Sequence, residues 1–547
     1  MPSRPLVAAA AALALLLAAC SAPAGTDPTA APSDERSATS AEPPAAATPQ
    51  RRAPRPVLVR RPVAPPTPAL SPTPEDADRA RARVQAMTLP QLAGQVIVAR
   101  YAGRGAPVDL VRRLHLGGVI AFSDNVSAPS AAAAANRTLR RAVGRPLLIG
   151  VDQEGGLVER VRGGATRFPA FMAAGAADDP GLTRAAARAS GGELAGLGFD
   201  VVFAPVADVT SGPGDPTIGS RSPGSDPDLV SRHALAAARG LAAAGVVPVV
   251  KHFPGHGSVP ADSHRVLPVQ RRSLARLRQV DLRPFAAAVD AGLPAVMVGH
   301  LDVAAVDPGV PSSLSGPVLT GLLRGRLGFD GLVVTDALDM AAVRDRVRSR
   351  AVGTRALRAG ADVVLMPRSP AAARAGIVGA VRSGRLPRER LEEAATRMLA
   401  TLGHADRVRP RPTAPGSGAA ASRRLSAAAV TVVAGPCSGR LVGDGVRVRG
   451  SDPAQVATFR AAARAAGLPL GAGTNVTLLG RGADPVRRGV AVALATPYVL
   501  GRSRAPVRIA TFGSTPGAMS ALVQVLLGRA RAPGRLPVEV PGVRAGC

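Results

Sequence analysis

Residues 251–264 read KHFPGHGSVPADSH and hold three of the seven histidines, His252, His256 and His264. They also hold Lys251, the only lysine; the other 67 of the 68 basic side chains are arginine. Lysine is a compact ammonium on a flexible stem, where arginine is a broad planar fork. The single position that keeps lysine therefore reads as chemically specified. Asp262 stands two residues before His264, a spacing at which a carboxylate holds an imidazole and fixes its tautomer. A histidine near the unperturbed pKa of about 6.5 donates and then accepts a proton around neutral pH. Pro254, Gly255, Gly257 and Pro260 make this stretch a loop able to close over a substrate. A metal reading competes, with His252, His256, Asp262 and His264 as nitrogen and oxygen ligands, although the spacing is irregular for a helical site. Asp336, in LVVTDALD (332–339), is a further reactive group. A carboxylate leaving a buried strand serves as a nucleophile toward an anomeric carbon, or else caps a helix over 337–343.

The elements that must position these groups are short apolar runs at 95–99, 118–122, 146–151, 201–204, 246–250, 295–298, 331–335 and 362–366. Amphipathic or alanine-rich segments such as 182–197, 229–244 and 274–291 lie between them, and Gly198, Gly245, Gly292 and Gly360 sit where helix C-caps belong. Continuous apolar strands alternating with helices imply a parallel sheet covered on both faces. Eight such units predict an α/β fold, a (β/α)8 TIM-like barrel. An open doubly wound sheet is the alternative, weakened because no glycine-rich phosphate loop follows the first strand. In a barrel, chemistry gathers at the C-terminal strand ends. Just past the runs stand Asp152-Gln153-Glu154 after the third, Asp208 after the fourth, Lys251-His252 at the fifth, His300 at the sixth and Asp336 at the seventh. Ionisable residues thus recur at one structural level in five of eight units, which points to an enzyme.

The flanks describe a location. An apolar run over 6–19 follows Arg4 and ends Leu17-Ala18-Ala19-Cys20. It is too short to span a membrane and suits a secretory signal. It resembles a bacterial lipobox, with Cys20 lipidated after removal of the signal. Residues 1–20 are thus expected to be a lipoprotein signal peptide and 21–75, rich in Ala and Pro, a disordered tether. The barrel is expected over 76–405, a linker over 406–419, and a smaller C-terminal α/β domain over 420–547. That domain has strand candidates at 429–433, 476–479, 490–493 and 507–510 and a helix at 516–527. The sequence leaves open whether Cys437 and Cys547 form a disulfide. The net charge of +30 is spread along the chain and reads as compositional bias. With no Trp, two Tyr and ten Phe, stacking of nucleic-acid bases has little support, and no nucleic-acid partner is expected.

KHFPGHG followed by DSH, with VDQEGG upstream and VTDALDM downstream, resembles glycoside hydrolase family 3 and, more narrowly, its β-N-acetylglucosaminidase branch. MTLPQLAGQ (87–95) and IGSRS (218–222) fit the same family, and the likeness spans about residues 80 to 400. The C-terminal region resembles more loosely the α/β-sandwich domain that often follows this barrel. The resemblance implies Asp336 as nucleophile, His264 as acid/base with Asp262 as its partner, and Asp152, Arg160, Arg221, Lys251 and His252 as the sugar subsite. It implies a retaining exo-acting enzyme that needs neither metal nor organic cofactor. The expected substrate is a peptidoglycan-derived N-acetylglucosaminide, met by a monomer anchored extracytoplasmically through its lipid. Branch members often carry Arg where Leu157 stands and Phe where Pro223 follows Ser222. Three alternatives are a phosphorylase, a β-glucosidase or β-xylosidase of the same fold, and a non-catalytic wall-binding lipoprotein.

Overall fold

The computed structural model describes residues 70–126 and 128–547. The signal stretch with Cys20, and nearly all of the expected tether, lie outside the described residues. Each of the eight expected runs yields one strand: β1 (Ile97–Arg100), β2 (Gly118–Ala121), β3 (Leu148–Val151), β4 (Val201–Val202), β5 (Val247–Phe253), β6 (Ala295–Val298), β7 (Leu332–Thr335) and β8 (Val364–Leu365). Their order is β7-β6-β5-β4-β3-β2-β1-β8, with every pairing parallel. A parallel bridge between Val334 and Val363 joins the two ends and closes the ring. The fold is a (β/α)8 barrel, not an open sheet.

The strands read as unbroken apolar runs because both faces are buried. Val98, Ile120, Leu148, Val201, Val247, Val249, Met297, Val334 and Leu365 belong to one core, drawn from all the strands. Their neighbours Ile97, Val119, Ile149, Val202, Val250, Val296, Val333 and Val364 belong to a second core shared with the helices. Successive side chains thus point alternately inward and outward, and neither face meets water.

The helices depart from expectation at their starts. Those expected at 182–197 and 229–244 are Pro180–Gly196 and Pro227–Ala242. In each an Asp-Pro pair begins the helix: Asp179 and Asp226 accept the Leu182 and Leu229 amides, and proline occupies the first helical position, where its missing N–H costs nothing. The single helix expected over 274–291 is two, Leu274–Gln279 and Arg283–Asp290. Pro284 lacks an N–H, so it sits in the first turn of a new helix and does not continue the old one. Gly198, Gly245, Gly292 and Gly360 all take positive φ just past their helices.

Beyond the barrel a second sheet contains β9 (Thr431–Ala434), β10 (Val446–Gly450), β11 (Thr474–Leu479), β12 (Val490–Ala493) and β13 (Val507–Ala510), in the order β9-β13-β12-β11-β10. Only β9 runs antiparallel. β10 was not expected: it is an edge strand in which Arg447 and Arg449 break the apolar run. Cys437 and Cys547 are disulfide-bonded, with Cα atoms 5.6 Å apart across a sequence separation of 110. Opening this loop enlarges the unfolded ensemble, so Cys437→Ser is expected to cost about 2–4 kcal/mol. Urea unfolding with and without reductant checks this, and curves that superimpose contradict it.

Candidate active site

The C-terminal ends of the strands bring the predicted groups to one cleft of about 700 Å³. Asp152, Arg160, Arg221, Lys251, His252, His264 and Asp336 all line it. Asp262 reaches it through His264, whose Nδ1 lies 2.8 Å from Asp262 Oδ1.

Lys251 leaves the end of β5 and is 2% exposed. Its Nζ donates to Asp152 Oδ1 at 2.8 Å and lies 2.6 Å from Glu154 Oε1. Arg221 clasps the same Glu154 from the other side, Nε to Oε2 and Nη2 to Oε1, both at 2.8 Å. Two carboxylates and two cations thus form one buried network. Burial pushes the Glu154 carboxyl up, but Arg221 and Lys251 outweigh it and hold it far below the usual carboxylate range. Burial likewise pulls the Lys251 ammonium down, and Asp152 with Glu154 more than restores it.

His252 is fixed by Asp208, which is fully buried. Asp208 Oδ2 lies 2.7 Å from His252 Nδ1, and Oδ1 accepts the His252 and His256 amides at 3.2 and 2.7 Å. Burial raises the Asp208 carboxyl, but His252 and the other donors bring it below its ordinary value. An ionised carboxylate only accepts, so His252 Nδ1 carries the hydrogen and Nε2 is left toward the cleft, 3.5 Å from Arg221 Nη2. Arg160 lies over the Phe122 ring at 5.1 Å, and Arg100 over the same ring at 4.7 Å.

Asp336 follows β7. Its amide donates to Val298 O at 2.9 Å, and its Oδ1 accepts the Ala337 amide at 2.7 Å. The next helix, Ala341–Arg344, begins after Met340, four residues beyond Asp336, so Asp336 is not a helix cap. Burial pushes this half-buried carboxyl up, while the imidazoles of His300 and His252 and the Ala337 amide hold it down to about 2. It is a carboxylate at any ordinary pH.

The metal reading does not fit the geometry. The three imidazoles turn to separate partners: His252 to Asp208, His256 to Ser263 Oγ at 2.9 Å, and His264 to Asp262. Among the described residues, no three His, Cys, Asp or Glu side chains converge as metal ligands would.

Glu154, Asp208 and His300 were legible only as strand-end residues; the resemblance gave them no role. Glu154 is the hub of the ionic network and Asp208 sets the His252 tautomer. His300 acts through a neighbour: its Nε2 donates to Ala337 O at 2.9 Å, and its Nδ1 lies 2.7 Å from Ser313 Oγ. It thereby steadies the residue next to Asp336.

Segments beyond the barrel also touch the loop that carries Arg221. Asp215 organises the loop before Arg221 by accepting the Thr217, Ile218 and Gly219 amides at 3.1, 2.8 and 3.0 Å. The Arg481 guanidinium, just beyond β11, donates to Pro216 O in the same loop. Ser225, past Arg221, donates its amide to Pro537 O at 3.1 Å.

The sequence profile of the Glycosyl hydrolase family 3 N terminal domain matches residues 88–401. The chain belongs to glycosyl hydrolase family 3. It is therefore a glycoside hydrolase by family. The β-hexosaminidase of Thiobacillus denitrificans is 41% identical over 267 residues, covering 47% of this chain and 72% of that one. The β-hexosaminidase A of Pseudoalteromonas piscicida is 37% identical over 281 residues, and the match spans 47% of either chain. Among solved structures, a family 3 β-N-acetylglucosaminidase from a Paenibacillus species superposes with a TM-score of 0.76 at 30% identity, covering 83% of this chain and 99% of that one. The β-N-acetylhexosaminidase of Beutenbergia cavernae gives 0.54 at 34% identity, over 58% of this chain and 99% of that one.

Proposed function

We propose that this family 3 chain is a retaining exo-β-N-acetylglucosaminidase. One observation carries the reading: a carboxylate held ionised, Asp336, and an Asp–His pair, Asp262–His264, open onto one cleft floored by a buried Asp152–Lys251–Glu154–Arg221 network. In the mechanism, Asp336 attacks C1 as His264 protonates the leaving oxygen; the C1–O bond breaks and a glycosyl-enzyme forms. His264 then takes a proton from water, which attacks C1 and returns the Asp336 carboxylate. Asp262 orients the ring throughout. Lys251, Arg221, His252 and Asp152 hold the hydroxyls and position the sugar. The names of the relatives support an N-acetylhexosamine in preference to glucose or xylose.

The test is a panel of 4-nitrophenyl glycosides. Release from the N-acetyl-β-glucosaminide is expected to exceed that from the β-glucoside or β-xyloside by at least about 100-fold, the discrimination expected where buried polar groups must each find a partner. Equal rates on all three sink the assignment. Repeating the assay in phosphate buffer and measuring sugar 1-phosphate separates hydrolysis from phosphorolysis. We further propose peptidoglycan fragments as the natural substrate and lipidation at Cys20 as the anchor. Activity on anhydromuramoyl disaccharides and an intact-mass shift of one diacylglyceryl-modified cysteine check these.

The low pKa of Asp336 sets a pH expectation. A carboxyl held near 2 stays ionised, and so nucleophilic, as pH falls from 7 to about 4. With a 2,4-dinitrophenyl leaving group no acid is needed, so kcat/KM for that substrate is expected to be flat over this range. An inflection between pH 4 and 7 that persists in His264→Ala and His256→Gln would show that the nucleophile titrates there and contradict the assignment.

A further inference from the structure

Asp262 opens a compact turn that holds itself together. Its carbonyl accepts the Arg265 and Val266 amides at 2.9 and 3.1 Å, and its Oδ1 accepts both the His264 amide and His264 Nδ1 at 3.0 and 2.8 Å. The working side chains of this turn face solvent: His264 is 65% exposed and Asp262 36%. Ser263 between them is 2% exposed. Its Oγ lies 2.9 Å from His256 Nε2, and its carbonyl accepts the Ala342 amide at 3.3 Å. Ser263 is thus the buried residue by which an otherwise exposed, internally bonded turn is joined to the barrel.

His256 is built to receive it. The imidazole is 1% exposed, and its backbone amide is tied to Asp208 Oδ1, the carboxylate that also fixes His252. Nδ1 has no hydrogen-bond partner among the described residues, so Ser263 Oγ is the one such partner of the ring. Burial, with His252 beside it, pushes this imidazole down to about 4, so the ring is neutral under assay conditions. A buried imidazole that loses its single partner has both nitrogens unsatisfied, which ties the turn firmly to one place.

We infer that Ser263, held by His256, is the positioning anchor that sets the Asp262–His264 pair over the cleft. The inference rests on the reading of that pair as acid/base. The end of β5 then aligns two things through one carboxylate: Asp208 fixes His252 in the sugar subsite and, through His256 and Ser263, the proton donor. The Ser263–Ala342 bond ties the same turn to the segment that follows the nucleophile.

A displaced proton donor leaves a specific signature. Glycosylation of the enzyme needs acid when the leaving group is an alcohol, and needs none when it is 2,4-dinitrophenolate. kcat/KM reports that first step. Ser263→Ala is therefore expected to lower kcat/KM about 10- to 100-fold for an N-acetylglucosaminyl disaccharide and less than about threefold for the 2,4-dinitrophenyl glycoside. Ser263→Thr, which keeps the hydroxyl, and His256→Gln, which keeps a hydrogen-bonding group near Nε2, are expected to retain most of the disaccharide activity. His264→Ala is the control. Selective loss in His264→Ala with unselective or no loss in Ser263→Ala overturns the anchor and leaves the acid/base reading standing. Unselective loss in His264→Ala overturns the acid/base reading itself. Thermal unfolding of each variant separates local displacement from loss of the fold, and for a Ser263→Ala that fails to fold the Ser263→Thr and His256→Gln ratios decide.

Discussion

Asp336→Asn is expected to lower the turnover of an aryl N-acetyl-β-glucosaminide by roughly three to five orders of magnitude. The change is nearly isosteric. The asparagine carbonyl oxygen still accepts the Ala337 amide, and the backbone still pairs with Val298. What disappears is the anion that bonds to C1. A neutral amide forms no stable glycosyl ester, so no contact of the sugar subsite replaces it. Stability should change little at neutral pH. The folded pKa of about 2 lies below the ordinary carboxylate value, so ionised Asp336 contributes stability above that value and loses it as pH falls through about 2. The variant therefore lacks a modest contribution at pH 7 and converges on the parent in strong acid. A melting curve within a few degrees of the parent, with no release of chromophore, is the expected pair of results. Near-parental turnover would mean that another group carries the nucleophilic role and that the site has been misassigned at its centre.

The sequence made some of this site legible and hid the rest, for physical reasons. Strands buried on both faces write themselves as apolar runs, so all eight barrel strands could be found, and the residue after each run then falls at the catalytic end of the ring. That register alone led to Asp152, Lys251, His252 and Asp336. It equally marked Glu154, Asp208 and His300, but not what they touch: Glu154 meets Arg221 across 67 residues and Lys251 across 97, contacts that only closure of the barrel creates. β10 was missed for the opposite reason, because an edge strand with arginines on its open face has no apolar run to betray it. Arg481 and Pro537 were missed as well. Their partners are backbone carbonyls and amides of a loop, which leave no mark on side-chain pattern.

Lys251→Arg is the second large effect, although it conserves charge. A guanidinium is longer than an ammonium and donates in a fixed plane, whereas Lys251 Nζ acts as a point charge between Asp152 Oδ1 and Glu154 Oε1. Both oxygens of Glu154 are already engaged by the Arg221 fork at 2.8 Å, so a second fork finds no free edge on that carboxylate. It would also set two guanidinium groups side by side in a site where the present side chain is only 3% exposed. Overpacking of this kind costs about 1–3 kcal/mol, and a shift of about 1 Å in the subsite carries a penalty on the order of 100-fold. The expected result is a lower melting temperature together with kcat/KM reduced by about two orders of magnitude. Lys251→Met separates packing from charge. It fits the space but leaves Asp152 without its cation, while Glu154 keeps the Arg221 fork, and breaking a buried pair costs up to about 3–5 kcal/mol. Methionine should therefore destabilise more than arginine, while arginine should disturb sugar binding through geometry with the charge intact. Unchanged kcat/KM in Lys251→Arg would show that the subsite needs only a positive charge there. The one lysine among 68 basic residues would then carry no chemical meaning.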